Sequence, residues 1–191
     1  PTVTCTDFGG DEMISGKIVK IINDQINFEY YSAYIYFSMC AHFKSQGMNG
    51  FANWMQVQTQ EEMCHGTGLF NYLIQRGGKV ELKAIDKPKT SWKSALEVFE
   101  DVYEHECKVT QRIHAIAKSA ETEKDYALLN FIQWYISEQV EEEANAQEII
   151  GQLKMIGEIK GALYMLDKDL GTRQFAVPAI PGAGLGATVT P

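Results

Sequence analysis

Glu62 and His65 stand three residues apart in the run Gln60-Glu61-Glu62-Met63-Cys64-His65. On an α-helix this spacing sets both side chains on one face, one turn apart. Phe51, Met55, Gln58, Leu69 and Leu73 fall on the same face, which is therefore expected to point into a core. A carboxylate and an imidazole on an apolar stripe need a partner, because burying a charge unpaired is expensive. A metal ion meets that need, provided that other parts of the chain send carboxylates to the same place.

The rest of the chain supplies helices to carry them. From about residue 12 to 43, Ile14, Ile18, Ile22, Gln25, Glu29, Tyr36 and Cys40 follow one stripe at helical spacing. That predicts a helix roughly 45 Å long at 1.5 Å per residue. A turn with two glycines (residues 45–50) leads to a second helix over about 49–76, which stops at Gly77-Gly78. Residues 79–91 contain Pro88 and read as a long extended connection, able to run the length of a bundle and leave the helices it joins parallel. Ser91 is the expected N-cap of a third helix, about 92–120, with the stripe Phe99, Val102, Glu106, Val109, Ile113, Ile116. A fourth helix, about 125–156, has the stripe Leu128, Phe131, Tyr135, Glu138, Glu142, Ala146, Ile149, Leu153. A short fifth helix is expected at about 161–170. With no strand signal, the reading is an all-α bundle. Residues 1–11 read as an irregular arm, 12–173 as one helical domain, and 174–191 as a Pro/Gly-rich tail, flexible or extended.

Every long helix thus carries an inward carboxylate near its middle: Glu29, Glu62 (with His65), Glu106, and Glu138 with Glu142. Packed together without a cation, these groups repel and raise one another's pKa values. Carboxylate oxygens with one imidazole suit iron or manganese, and zinc can occupy such a set. The supply is enough for two metals bridged by Glu62.

Composition narrows the partners. The chain has 191 residues, 45% of them apolar, and a net charge of −8. This fits one domain with a sizeable core, argues against nucleic acid and admits cations. No apolar run is long enough to span a bilayer, and the sequence as given opens without a basic-then-apolar leader. The four cysteines (Cys5, Cys40, Cys64, Cys107) form no Cys-x-x-Cys pair, which rules out a zinc ribbon or rubredoxin-type site. They read as reduced thiols, and the expected location is cytoplasmic.

Several longer motifs sharpen this picture. They are Asn27-Phe28-Glu29-Tyr30-Tyr31 with Tyr36 beyond it, Glu61-Glu62-Met63-Cys64-His65, His105-Glu106, and the run from Phe131 to Glu143. Over about residues 12–173 the chain resembles the non-haem ferritins of bacterial type, within the ferritin-like di-iron superfamily, whose bundle of inward Glu residues is a known architecture. The resemblance implies a ferritin-like four-helix bundle with a long crossover between the second and third helices. It also implies iron storage with ferroxidase activity. Glu29, Glu62 and His65 would hold one iron, and Glu62 would bridge to a second held by Glu106 and Glu142. Gln139 would lie beside the pair. Glu61, Glu138 and Glu141, with Glu142, would form a third iron site or simply a solvated edge. Tyr36 and Trp134 would either supply an electron or pack the core. The substrates would be Fe(II) and dioxygen (or peroxide). The assembly would be an octahedral shell of twenty-four identical subunits.

One feature separates the chain from bacterioferritins and one is shared with them. Asn145 stands where they carry a second Glu-x-x-His on the fourth helix, whereas Met63 falls at their haem-ligating methionine. Met63 is expected to be an ordinary packing residue, with no haem. The alternatives are a haem-binding bacterioferritin-like protein and a non-catalytic nucleation or assembly subunit. His42 and His114 are expected at surface or packing positions, and His105 to point away from Glu106. Cys64 and Cys107 are expected to be inert thiols.

Overall fold

A computed structural model describes residues 14–157 and 159–184. The expected arm at 1–11, with Cys5, and the end of the tail lie outside these residues. The described residues form five helices: α1 (Gly16–Ser45), α2 (Asn49–Gln75), α3 (Ala95–Glu123), α4 (Tyr126–Ile156) and α5 (Lys160–Leu170). No strand occurs among the described residues.

Local chemistry sets the helix ends. Ser15 accepts from the Ile18 amide at 3.3 Å, starting α1, and its hydroxyl also donates to Glu123 at the end of α3. The third helix starts three residues later than the Ser91 reading. Ser94 is the N-cap, accepting from Glu97 N at 3.1 Å, while the Glu97 carboxylate takes the Lys93 amide at 2.6 Å. A Ser-x-x-Glu box thus wins over an isolated serine. Trp92, expected inside the helix, precedes it and is buried, its indole N–H donating to Asp101 at 2.7 Å. Lys124 turns the chain with φ 56°, and Asp125 caps α4 by accepting from Leu128 N at 3.0 Å. Both Asp125 oxygens also accept from Arg76 at 3.0 Å, joining the end of α2 to the start of α4.

The connection between α2 and α3 follows α1. Asn23 clasps it near one end, donating to Lys79 O at 2.9 Å and accepting from Glu81 N at 2.7 Å, and Ser38 donates to Lys89 O at 2.7 Å near the other. Fifteen helical residues separate Asn23 and Ser38, roughly 22 Å of travel. The chain therefore returns to the end where α2 began, and α2 and α3 run parallel, with Phe99 against Phe51 and Trp54.

Two apolar cores result. One gathers Ile18, Ile22, Ile26, Leu69, Leu73, Ile113, Ile116, Leu128 and Ile132. The other gathers Phe43, Phe51, Met55, Phe99, Val102, Ile149 and Leu153, with Leu166 and Leu170 of α5. Between them lies a buried polar layer that includes Gln25, Glu29, Ser32, Gln58, Glu62, His65, Glu106, Gln139 and Glu142.

α5 closes one end. α2 has no side-chain cap of its own, and Asp167 of α5 supplies one, accepting from Gly50 N at 2.8 Å and Phe51 N at 3.0 Å. A Cβ on Gly50 would stand 1.4 Å from the Asp167 carbonyl oxygen, so glycine alone permits this approach. After α5 the chain is extended, but it is not loose. Ile180 and Ala183 are buried in the first core, and Asn71 donates to Ala183 O at 2.8 Å. Gly68 opens the slot, since a Cβ there would lie 2.9 Å from Ile180 Cδ1.

Gly50→Ala is expected to cost about 3 kcal/mol through overpacking and to lower the melting temperature by about 6 °C or more. Asp167→Ala, which removes only the cap, is expected to cost about 1 kcal/mol, or roughly 2–4 °C. Calorimetry reads both, and an Asp167→Ala protein that melts like the parent would show that the cap contributes nothing.

Candidate metal centre

Glu29, Glu62 and His65 converge in the polar layer. Each offers a ligand atom, and these atoms lie within 4.8 Å of one another. All three residues are at most 3% exposed. The His65 Nδ1 to Glu62 Oε2 distance is 3.6 Å. Glu29 Oε2, Glu62 Oε2 and His65 Nε2 are buried with no hydrogen-bond partner. Native interiors rarely leave such atoms orphaned, and three together are what a bound cation would satisfy. The donor set of carboxylates and imidazole fits iron.

Neighbouring side chains restrain the opposite oxygens. Gln25, one turn before Glu29, donates to Glu29 Oε1 at 2.8 Å. Arg112 of α3 holds Gln25 in turn, its Nε–H donating to Gln25 Oε1 at 2.8 Å while the guanidinium stacks 4.2 Å from the Phe28 ring centre. Gln58 donates across to Glu142 Oε2 at 2.9 Å. Both Glu106 oxygens are engaged: Tyr36 donates its phenol proton to Oε1, and Gln139 donates to Oε2 at 3.1 Å. Tyr135 fixes the backbone under the histidine by donating to His65 O at 2.9 Å.

Glu106 and Glu142 are buried in the same layer and act electrostatically on Glu62. They stand outside the tight trio of ligand atoms. Burial pushes Glu29 up to about 7, against the donation from Gln25. Burial, then the charges of Glu106, Glu29 and Glu142, raises Glu62 well above the ordinary carboxylate range. Burial and the Glu106 charge do the same to Glu142. Burial also raises Glu106, with Tyr36 and Gln139 opposing. His65 is driven down to about 4 by burial, which leaves the imidazole neutral and able to ligate. The acidic layer is a site in need of positive charge.

The outer residues stand differently. Glu138 was expected on the core stripe, yet its side chain is 26% exposed and the buried stripe runs through Gln139. The steps Tyr135, Gln139, Glu142, Ala146 follow the helical repeat better than a path through Glu138, which lands on the flank. There it lies 3.9 Å from His65 Nε2, and burial, Glu141 and Glu61 push it up to about 7. Glu61 is partly buried and pairs with Arg173 at 2.6 Å, and Glu141 is exposed. Tyr36 is fully buried, and Trp134 sets its ring edge-on to His65 at 5.5 Å. Met63 is exposed and lines an apolar groove of about 330 Å³ with Tyr30, Tyr34, Phe37 and Ile85, rather than packing in the core.

Sequence reading gave no role to Gln25, Gln58, Arg112 or Arg173. The first two share the stripe with Glu29 and Glu62, one turn away, and that spacing was their only signal. His105 does point away from Glu106, as expected. It is buried, stacked on Phe28, with its Nε2 2.7 Å from Ser32 Oγ.

The chain as a whole is similar to known proteins. A profile of the Ferritin-like domain matches residues 19–156. Bacterial non-heme ferritin of Staphylococcus aureus (strain MRSA252) is 40% identical over 163 residues, covering 85% of this chain and 98% of the relative. The protein of the same description from Bacteroides fragilis (strain 638R) is 42% identical over 161 residues, covering 84% of this chain and all of the relative. Among solved structures, an open pore ferritin from the hyperthermophilic archaeon Archaeoglobus fulgidus superposes with a TM-score of 0.84 at 52% identity, covering 85% of this chain and 99% of that one. With four antiparallel-paired long helices, a closing fifth helix and an acidic layer at mid-length, the chain belongs to the ferritin family.

Proposed function

We propose that this protein stores iron and oxidises it on the way in, as a ferroxidase that takes Fe(II) and dioxygen (or peroxide) as substrates. The observation that carries this reading is the trio of buried, orphaned atoms on Glu29, Glu62 and His65. These residues would hold one Fe(II). Glu106 and Glu142 would hold a second, with Glu62 bridging. Two Fe(II) together give two electrons, enough to take dioxygen to the level of peroxide. The chain's part is to fix two metals side by side in a dry, acidic layer. Gln25, Gln58 and Gln139 orient the carboxylates by donating to them. The Tyr36 phenol and the Trp134 indole lie close enough to serve as electron donors. Glu61, Glu138 and Glu141, with Glu142, would take a third iron. The subunit's interior is filled by its two cores, so mineral needs a chamber built from many copies. An octahedral shell of twenty-four identical subunits, in the cytoplasm, fits the ferritin relatives. No described helix is long and apolar enough to cross a membrane.

Stopped-flow absorbance after mixing anaerobic protein, loaded with two Fe(II) per subunit, with oxygenated buffer tests the reading. The parent is expected to give a fast ferric signal and Glu62→Ala to oxidise iron no faster than buffer. Equal slow oxidation in both would refute the ferroxidase and favour a nucleation subunit.

The pH dependence has a defined sign. Glu29 and Glu138 are raised to about 7, and Glu62, Glu106 and Glu142 are raised too, so the metal-free fold holds more protons than the unfolded chain between about pH 4.5 and 7. That stability is present below the unfolded pKa and is lost as pH rises through 7. His65 and His105, both lowered to about 4 by burial, have the opposite sign between about 4 and 6.5, but they are two groups against five. The metal-free protein is therefore expected to melt lower at pH 7.5 than at pH 5.5, and Zn(II), a redox-inert probe, to raise the melting temperature more at the higher pH. Glu62→Gln, which removes a carboxyl raised by burial and by the charges of Glu106, Glu29 and Glu142, is expected to raise the melting temperature of the metal-free protein at pH 7.5. Metal-free melting temperatures that rise with pH would show that the layer is not under charge repulsion.

A further inference from the structure

Arg173 follows α5 and enters the mouth of the acidic layer from the α2–α4 side. Its Nη2 lies 2.6 Å from Glu61 Oε2, and its guanidinium sits 4.7 Å from the centre of the Trp54 ring. Asn53 fixes the backbone behind it, donating to Arg173 O at 2.9 Å. Arg173 also acts electrostatically on Glu138 and Glu142, and Glu141 acts on Glu61 and Glu138. One cation thus faces carboxylates from two helices, and one of these, Glu138, lies 3.9 Å from His65 Nε2.

The hold on this cation is one-sided. Arg173 Nη1 is buried with no hydrogen-bond partner, so Glu61 and the Trp54 face are what restrain the head group. A guanidinium with a bidentate carboxylate would be harder to dislodge. On its C-terminal side the chain runs extended beside α2 until Ile180 enters the slot at Gly68 and Ala183 meets Asn71. The strap is therefore anchored at Asn53 and at Ile180, and the Arg173 side chain between these anchors can move without detaching either.

We propose that Arg173 is a tethered counter-cation that competes with a metal ion for the carboxylates of Glu61, Glu138 and Glu141. This deepens the reading given under Proposed function and rests on it. With Arg173 seated, the outer carboxylates are partly neutralised and the protein binds two metals tightly. A third ion enters only by displacing the guanidinium, because two positive charges cannot share Glu61 at short range. The outer position becomes a low-affinity station, filled when the Fe(II) supply is high and vacated as Arg173 returns.

The test is anaerobic equilibrium dialysis of Fe(II) with the assembled full-length protein, together with anomalous diffraction from crystals soaked anaerobically in Fe(II). Arg173→Gln is expected to tighten the third metal by about tenfold or more while leaving the first two within about twofold, since only the outer position loses a nearby positive charge. Arg173→Lys, which keeps the charge, is expected to stay near the parent, and adding Glu61→Gln to Arg173→Gln to abolish the gain. Equal third-metal affinity in the parent and Arg173→Gln overturns the proposal. If Arg173→Gln fails to assemble, crystals of the parent decide. An iron on Glu61 with Arg173 still paired there overturns the proposal. Arg173 swung away from an occupied Glu61, or retained on an empty one, supports it. Iron missing from Glu29, Glu62 and His65 would instead refute the two-iron reading, while the proposal stands or falls on the Glu61 position.

Discussion

Repulsion among four buried carboxylates is the constraint on which the rest of this protein depends. Left to itself, the layer of Glu29, Glu62, Glu106 and Glu142 with Glu138 at its edge would force the bundle open or draw in protons. The bundle tolerates it because the layer is sandwiched between two apolar cores, each spanning all four long helices. Those cores supply stability at both ends and leave the middle free to be unfavourable. Such concentrated strain at a functional position is the usual trade between stability and activity.

The donors around the layer show how the strain is directed. Gln25, Gln58, Gln139 and Tyr36 donate to oxygens of Glu29, Glu142 and Glu106, and Arg112 holds Gln25 in place. The atoms left unsatisfied in the layer are Glu29 Oε2, Glu62 Oε2 and His65 Nε2, together with Gln58 Oε1. Amides are well suited to this work. They donate to a carboxylate without neutralising it, so the negative charge stays available to a metal. Lysine or arginine in the same places would cancel it.

Most of this was legible in the sequence, for identifiable reasons. Glu62 and His65 announce themselves because polar residues at i and i+3 stand out on an otherwise apolar stripe. Glu29 and Glu106 are legible in the same way. The parallel arrangement of α2 and α3 could be read from the length of the connection alone. Glu138 was misread because a helix of 3.6 residues per turn does not fix whether a stripe steps by three or by four at a given turn. The packed neighbours decided for Gln139. Ser94 rather than Ser91 caps α3 because Glu97 completes a capping box with it, while Ser91 has no Glu or Gln three residues on. The docking of Ile180 could not be seen at all, since it depends on the absence of a side chain at Gly68, more than a hundred residues earlier. Arg173 was hidden for the same reason, its partner Glu61 lying 112 residues away.

The long connection along α1 has a consequence for how the molecule comes together. It divides the chain into two helical hairpins, α1–α2 and α3–α4, whose internal contacts outweigh those between them. Glu29, Glu62 and His65 all belong to the first hairpin, and Glu106 and Glu142 to the second. Each hairpin can form from contacts local in sequence, and such contacts form early. Docking the two then brings like charges face to face. A cation carried by the first hairpin would turn that encounter from repulsive to attractive, acting as a rivet between two separately formed halves.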